Sequence, residues 1–122
     1  MRPLRIFLVE NHEDTVKYLK LYLEFSGHAV LTAPDMATAL SQIPEAHCDV
    51  LISDIGLPNG DGWALLEKLG SNRPRFAIAI SGYGTESDQQ KSHSVGYDRH
   101  LVKPFSPDTL REVLEEATKQ TP

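Results

Sequence analysis

Short, mainly apolar runs that stop abruptly on polar or charged residues recur along this chain of 122 residues, and they limit the folds open to it. Leu4 to Val9 stops on Glu10-Asn11, Asp49 to Ser53 on Asp54, Phe76 to Ile80 on Ser81-Gly82, and His100 to Val102 on Lys103-Pro104. With Ala29 to Ala33 they read as five buried strands. Helical patterns fill the spaces between. One runs from about Glu13 to Ser26 and stops at Gly27. Asp35 caps a second, with Met36, Leu40 and Ile43 on one face and Pro44 closing it. A third spans about Trp63 to Leu69 before Gly70, and a fourth spans Glu86 to Ser94. Ser106-Pro107-Asp108 opens the last, striped by Leu110, Val113, Leu114 and Ala117. Strands alternating with helices make βαβ units, and hence an α/β fold with a parallel sheet covered on both faces. Every strand-to-helix loop then opens on one edge, with a crevice at the topological switch point.

Two of the helices are unusual. In the first, Lys17, Lys20 and Glu24 share a narrow polar arc while apolar residues cover the rest, more than one core face requires. Tyr18, Leu19 and Tyr22 are expected in the core. An edge made of Leu21 with Phe25 or Val16 is left either for another protein or for close packing against neighbours. The fourth helix has almost no apolar residue before Val95, so it is expected to be the most weakly held.

Composition excludes several classes. The formal net charge is -5, which gives no bulk attraction to nucleic acid or to an anionic membrane. No apolar run approaches a membrane span, and Met1-Arg2-Pro3 leads into a strand rather than a signal-peptide core. The single cysteine, Cys48, has no internal disulfide partner and lacks the companions of a zinc site, so a reducing cytoplasm is the expected compartment. Residues 1–122 read as one domain, either a complete small protein or a module of a larger one.

The residues that converge on the common edge suggest a chemistry. Asp54 ends a strand and is followed by Gly56, Pro58, Asn59 and Gly60, so on its own it is either a site carboxylate or the start of a turn. Glu10, Asn11 and Asp54 together suit a hard cation such as Mg²⁺. Lys103 can offset their charge and hold a phosphoryl oxygen, and Ser81 beside Gly82 offers further donors. These are the parts for in-line phosphoryl transfer to a carboxylate, which needs positioning and charge neutralisation more than a strong base.

Four motifs stand in order: Val9-Glu10-Asn11, Ser53-Asp54-Ile55-Gly56-Leu57-Pro58 with Asp61-Gly62, Ala79-Ile80-Ser81-Gly82, and Leu101-Val102-Lys103-Pro104-Phe105. In order and spacing the chain resembles the response-regulator receiver domain of bacterial two-component signalling, over essentially its whole length. The resemblance implies a flavodoxin-like (CheY-like) doubly wound sheet with strand order 2-1-3-4-5. It implies that Asp54 accepts a phosphoryl group from a histidine kinase or a histidine phosphotransfer protein, with Mg²⁺ or Mn²⁺ required. Glu10, Asn11, Asp54 and the Gly56 carbonyl would hold the metal, Lys103 would contact the phosphoryl group, and Ser81 would move to bond it. A cis peptide bond before Pro104 is implied as well. The only catalysis implied is that of the domain's own phosphorylation and dephosphorylation. Output would pass through the face of the fourth helix, fifth strand and fifth helix, to an effector domain or a second copy.

Three residues depart from the family pattern. Asn11 stands where a second acid is usual, so Glu10, Asp54 and Lys103 carry one net negative charge rather than two, and weaker Mg²⁺ binding is expected. His100 stands at the switch position usually held by Tyr or Phe, where a histidine can also titrate. Tyr83, two residues past Ser81, is bulky where water reaches the phosphoaspartate, so slow self-dephosphorylation is expected. Two other readings compete: a degenerate receiver acting only as an interaction module, which Asn11 favours, and an aspartyl-phosphate hydrolase, which Gly56 disfavours because a second Asp is usual there.

Overall fold

The computed structural model describes residues 2–82 and 84–120. In chain order the elements are β1 (Arg5–Val9), α1 (Glu13–Phe25), β2 (Ala29–Ala33), α2 (Met36–Ala46) and β3 (Val50–Asp54). Then come α3 (Gly62–Leu69) with a short 3₁₀ turn (Gly70–Asn72), β4 (Phe76–Ser81), α4 (Glu86–Val95), β5 (Arg99–Val102) and α5 (Pro107–Gln120). The strands form one parallel sheet in the order β2-β1-β3-β4-β5, which is the expected α/β topology.

Alternation along the strands divides the core into two layers. Ile6, Leu8, Ile52, Ile78 and Ile80 point to the side covered by Leu19 and Leu23 of α1 and by Leu110, Val113 and Leu114 of α5. Phe7, Val9, Leu51, Ala77 and Ala79 point the other way, against Ile43 of α2, Leu65, Leu66 and Leu69 of α3, and Tyr97. The small Ala77 and Ala79 leave room on that face for the Tyr97 ring, whose hydroxyl donates to the Gly62 carbonyl at 2.6 Å.

Side-chain caps fix where the helices begin. Asp35 accepts from the Thr38 N–H, Asp61 from Ala64, and Thr85 from Asp88. Gly62 is required where α3 leaves the edge of the sheet, because a Cβ there would lie 2.6 Å from the Asp54 carbonyl oxygen.

The structure corrects two expectations. Tyr18 is 54 % exposed, and the buried stripe of α1 is Leu19 with Leu23, flanked by half-buried Val16 and Tyr22. Residues i and i+4 share a face, whereas Tyr18 is turned about 100° from Leu19, onto an open groove beside Pro104 and Phe105. Leu21 and Phe25 are 72 % and 90 % exposed, so of the two readings of that edge, close packing is not what this chain shows. Pro44 does not end α2. It lies in the last turn, and the helix runs on to Ala46 before His47 enters the left-handed region at φ 52°. A proline this late removes one backbone hydrogen bond without preventing the remaining residues from keeping helical angles.

Candidate functional site

The ends of β1, β3, β4 and β5 bring Glu10, Asp54, Ser81 and Lys103 to one corner. Asp54 is the last residue of β3 and pairs in register with Ile80 of β4; Ser81 pairs with Val102 of β5. The Lys103 N–H donates to the Ser81 carbonyl at 2.7 Å, which anchors its backbone to the end of β4. From there the side chain reaches back across the sheet. Its Nζ lies 2.5 Å from Glu10 Oε1 and 2.9 Å from Asp54 Oδ2. The Lys103–Pro104 peptide bond is cis.

Glu10 is fully buried and Asp54 nearly so. The other oxygens of both carboxylates are also engaged. Asp54 Oδ1 accepts from the Gly56 N–H at 2.9 Å, and Glu10 Oε2 accepts from the N–H groups of Asn11 at 2.8 Å and His12 at 3.3 Å. Burial pushes both acids up, but its net effect differs. In Glu10 the Lys103 ammonium and the backbone donors outweigh it, and the carboxyl sits below its ordinary range. In Asp54 burial wins, helped by the Glu10 charge, and the carboxyl sits above it. Burial pulls Lys103 down, but the two carboxylates more than offset this and raise it. The two acids lie close enough to titrate as a coupled pair.

Two carboxylates facing a single ammonium leave net negative charge in a buried corner, a donor set that fits a hard divalent cation. Glu10, His12 and Asp54 each present a ligand atom, and these atoms lie within 4.8 Å of one another. A cavity of about 610 Å³ opens over His12 and Asp54, lined also by Gly56, Trp63, Ser81 and Lys103 among others. Asn11 instead lines a neighbouring cavity with Glu10, Lys17 and Pro34.

A polar chain leads away from this corner. Ser81 Oγ is 2.8 Å from His100 Nε2, His100 Nδ1 is 2.7 Å from Ser92 Oγ, and the Trp63 indole N–H donates to Ser92 at 2.8 Å. Indole can only donate. Ser92 Oγ therefore accepts from Trp63, and the His100 tautomer sets the direction of the other two bonds. The Lys91 ammonium sits 4.3 Å above the Trp63 ring.

Glu10, Asp54, Ser81 and Lys103 thus meet as their positions at strand ends predict, and His100 is turned inward onto Ser81. Tyr83 lies outside the described residues. Three residues were missed. His12 follows Glu10-Asn11 directly, so its place beside a candidate metal site was open to reading. Ser92 and Trp63 carry no periodic signal and are separated by 29 positions. No helix among the described residues is long and apolar enough to cross a membrane.

Comparison with known proteins agrees with this geometry. The family model of the response regulator receiver domain matches residues 6–115. An uncharacterised 14.6 kDa protein of Leptolyngbya boryana is 31 % identical over 121 residues, covering 95 % of this chain and 91 % of that one. The two-component response regulator PhoP of Pseudomonas aeruginosa is 31 % identical over 112 residues, and this chain spans about half its length: 91 % of this chain is matched against 50 % of PhoP. Among solved structures, a CheY-like response regulator receiver domain protein from Methanospirillum hungatei JF-1 superposes with TM-score 0.88 at 30 % identity, covering 98 % of this chain and 97 % of that one. The chain belongs to the response regulator receiver domain family of two-component signal transduction.

Proposed function

We propose that Asp54 accepts a phosphoryl group from the phosphohistidine of a sensor kinase or a phosphotransfer protein, and that the phosphorylated domain switches a protein-interaction face. The observation that carries this reading is the Lys103 ammonium held between the buried carboxylates of Glu10 and Asp54 at the carboxyl edge of the sheet. An Asp54 oxygen attacks phosphorus, the P–N bond breaks, and its electron pair leaves with the imidazole. Lys103 then holds a phosphoryl oxygen, and Ser81 moves to bond another. Glu10, Asn11, Asp54 and the Gly56 carbonyl are the groups proposed to hold Mg²⁺ or Mn²⁺, which when bound neutralises charge on the phosphoryl oxygens. Because Ser81 is bonded to His100 and through it to Ser92 of α4, its movement is transmitted to the α4, β5 and α5 face, where an effector domain or a second copy docks. Residues 1–122 act as one receiver module in the cytoplasm, without direct contact to nucleic acid or membrane.

The test is incubation of wild type and Asp54→Asn with acetyl phosphate and Mg²⁺, read by intact mass. Wild type gains one phosphoryl group and the variant gains none. An unmodified wild-type protein would leave the degenerate, phosphorylation-independent module as the better reading.

A further inference from the structure

Asn11 removes one negative charge from the cation site, yet the next residue places an exposed imidazole at its rim. His12 is the N-cap residue of α1, but its side chain caps nothing. Its backbone is fixed: the N–H donates to Glu10 Oε2 at 3.3 Å, and the carbonyl accepts from Val16 at 3.0 Å. The ring is 73 % exposed, with Nδ1 3.5 Å from Glu10 Oε2. It lines the cavity over Asp54, whereas Asn11 lines the adjoining one. A bland alternative is an exposed ion pair between His12 and Glu10, worth about 0–1 kcal/mol. An ion pair needs only Glu10, whereas a ligand atom of Asp54 also lies within 4.8 Å of both groups.

We infer that His12 is a further protein ligand of this site and shifts its preference from Mg²⁺ toward borderline transition ions such as Mn²⁺, Co²⁺ and Ni²⁺. The inference rests on the receiver reading for the presence of a cation site. The chemistry is that of the donor atoms. Mg²⁺ binds through charge and oxygen ligands, so a neutral imidazole in place of a lost carboxylate does little for it. Imidazole nitrogen strengthens binding along the series from Mn²⁺ to Ni²⁺. The sequence Glu10-Asn11-His12 therefore exchanges charge for a softer donor at one corner.

Trp63 is the only tryptophan and lines the same cavity, so its fluorescence reports binding there without any phosphorylation assay. Tag-free full chains of wild type, His12→Ala, His12→Gln, Asn11→Asp and Asp54→Asn are titrated separately with Mg²⁺, Mn²⁺ and Ni²⁺, with calorimetry as the second readout. Removing His12 by either substitution should weaken Ni²⁺ by about tenfold or more while Mg²⁺ stays within about twofold. Asn11→Asp should strengthen Mg²⁺ and leave the effect of His12 on Ni²⁺ in place. Equal weakening of both ions in the His12 variants, or no change in either, overturns the inference while Asp54-dependent binding upholds the cation site. Absence of any Asp54-dependent binding in wild type overturns the cation site itself, and His12 with it.

Discussion

Helices α4 and α5 flank the same edge strand but are held by opposite means. α5 buries Leu110, Val113, Leu114 and Ala117, spaced so that all four fall on one stripe. In α4 the one buried residue is Ser92, with Val95 only half-buried. What α4 has instead is directional: Ser92 bonded to Trp63 of α3 and to His100 of β5. Apolar burial depends on area and tolerates small displacements, whereas a hydrogen bond weakens steeply as its angle opens. A shift of Ser81 or His100 by an ångström thus matters to α4 and hardly at all to α5. Under the proposed function, the helix that responds to the phosphoacceptor corner is the one joined to it by a polar chain, with Val95 as its apolar anchor.

The strongest way to break this contrast is Leu114→Ala. Leu114 is 1 % exposed, and its truncation should cost about 2–5 kcal/mol in urea unfolding, lowering the midpoint without changing the slope. A loss well under 1 kcal/mol would mean that α5 is not held by its stripe. Ser92→Ala probes the other helix. It removes the oxygen shared by the Trp63 N–H and His100 Nδ1 in a part-buried place, at about 1–3 kcal/mol. Amide exchange should then rise across α4 and remain as in wild type across α5. If exchange rose equally in both, α4 would owe its place to something other than the polar chain.

This contrast also explains which parts of the molecule could be read from sequence. The α5 stripe is periodic and needs no partner to be seen, and the poverty of α4 in apolar residues is visible for the same reason. Asp54, Glu10, Ser81 and Lys103 were legible because parallel topology places every strand end on one edge. Periodicity defines an apolar arc on α1, while the neighbouring elements decide which part of that arc is covered, and Tyr18 falls outside it. Ser92, Trp63 and His100 come from three elements, and no spacing rule joins a tryptophan to a serine on another helix. His12 was passed over because a single histidine in a loop gains meaning only when its neighbours' oxygens are placed.

The smallest expected effect sharpens the comparison from the charged side of the corner. Asp54 has its carboxyl raised by burial and by Glu10, so the folded state binds its proton more tightly than the unfolded chain does. Stability from this group is therefore lost as pH rises through the folded titration. Asp54→Asn removes that penalty and leaves Lys103 paired with Glu10 alone, a gain on the order of 1 kcal/mol at pH 7. The gain should fade as pH drops below about 4, where Asp54 is neutral in both states. Ser81 and His100 keep their places in this variant, so α4 and α5 should both be protected more, by the same factor. A selective change in α4 would mean that the charge of Asp54, and not only the position of Ser81, reaches the polar chain.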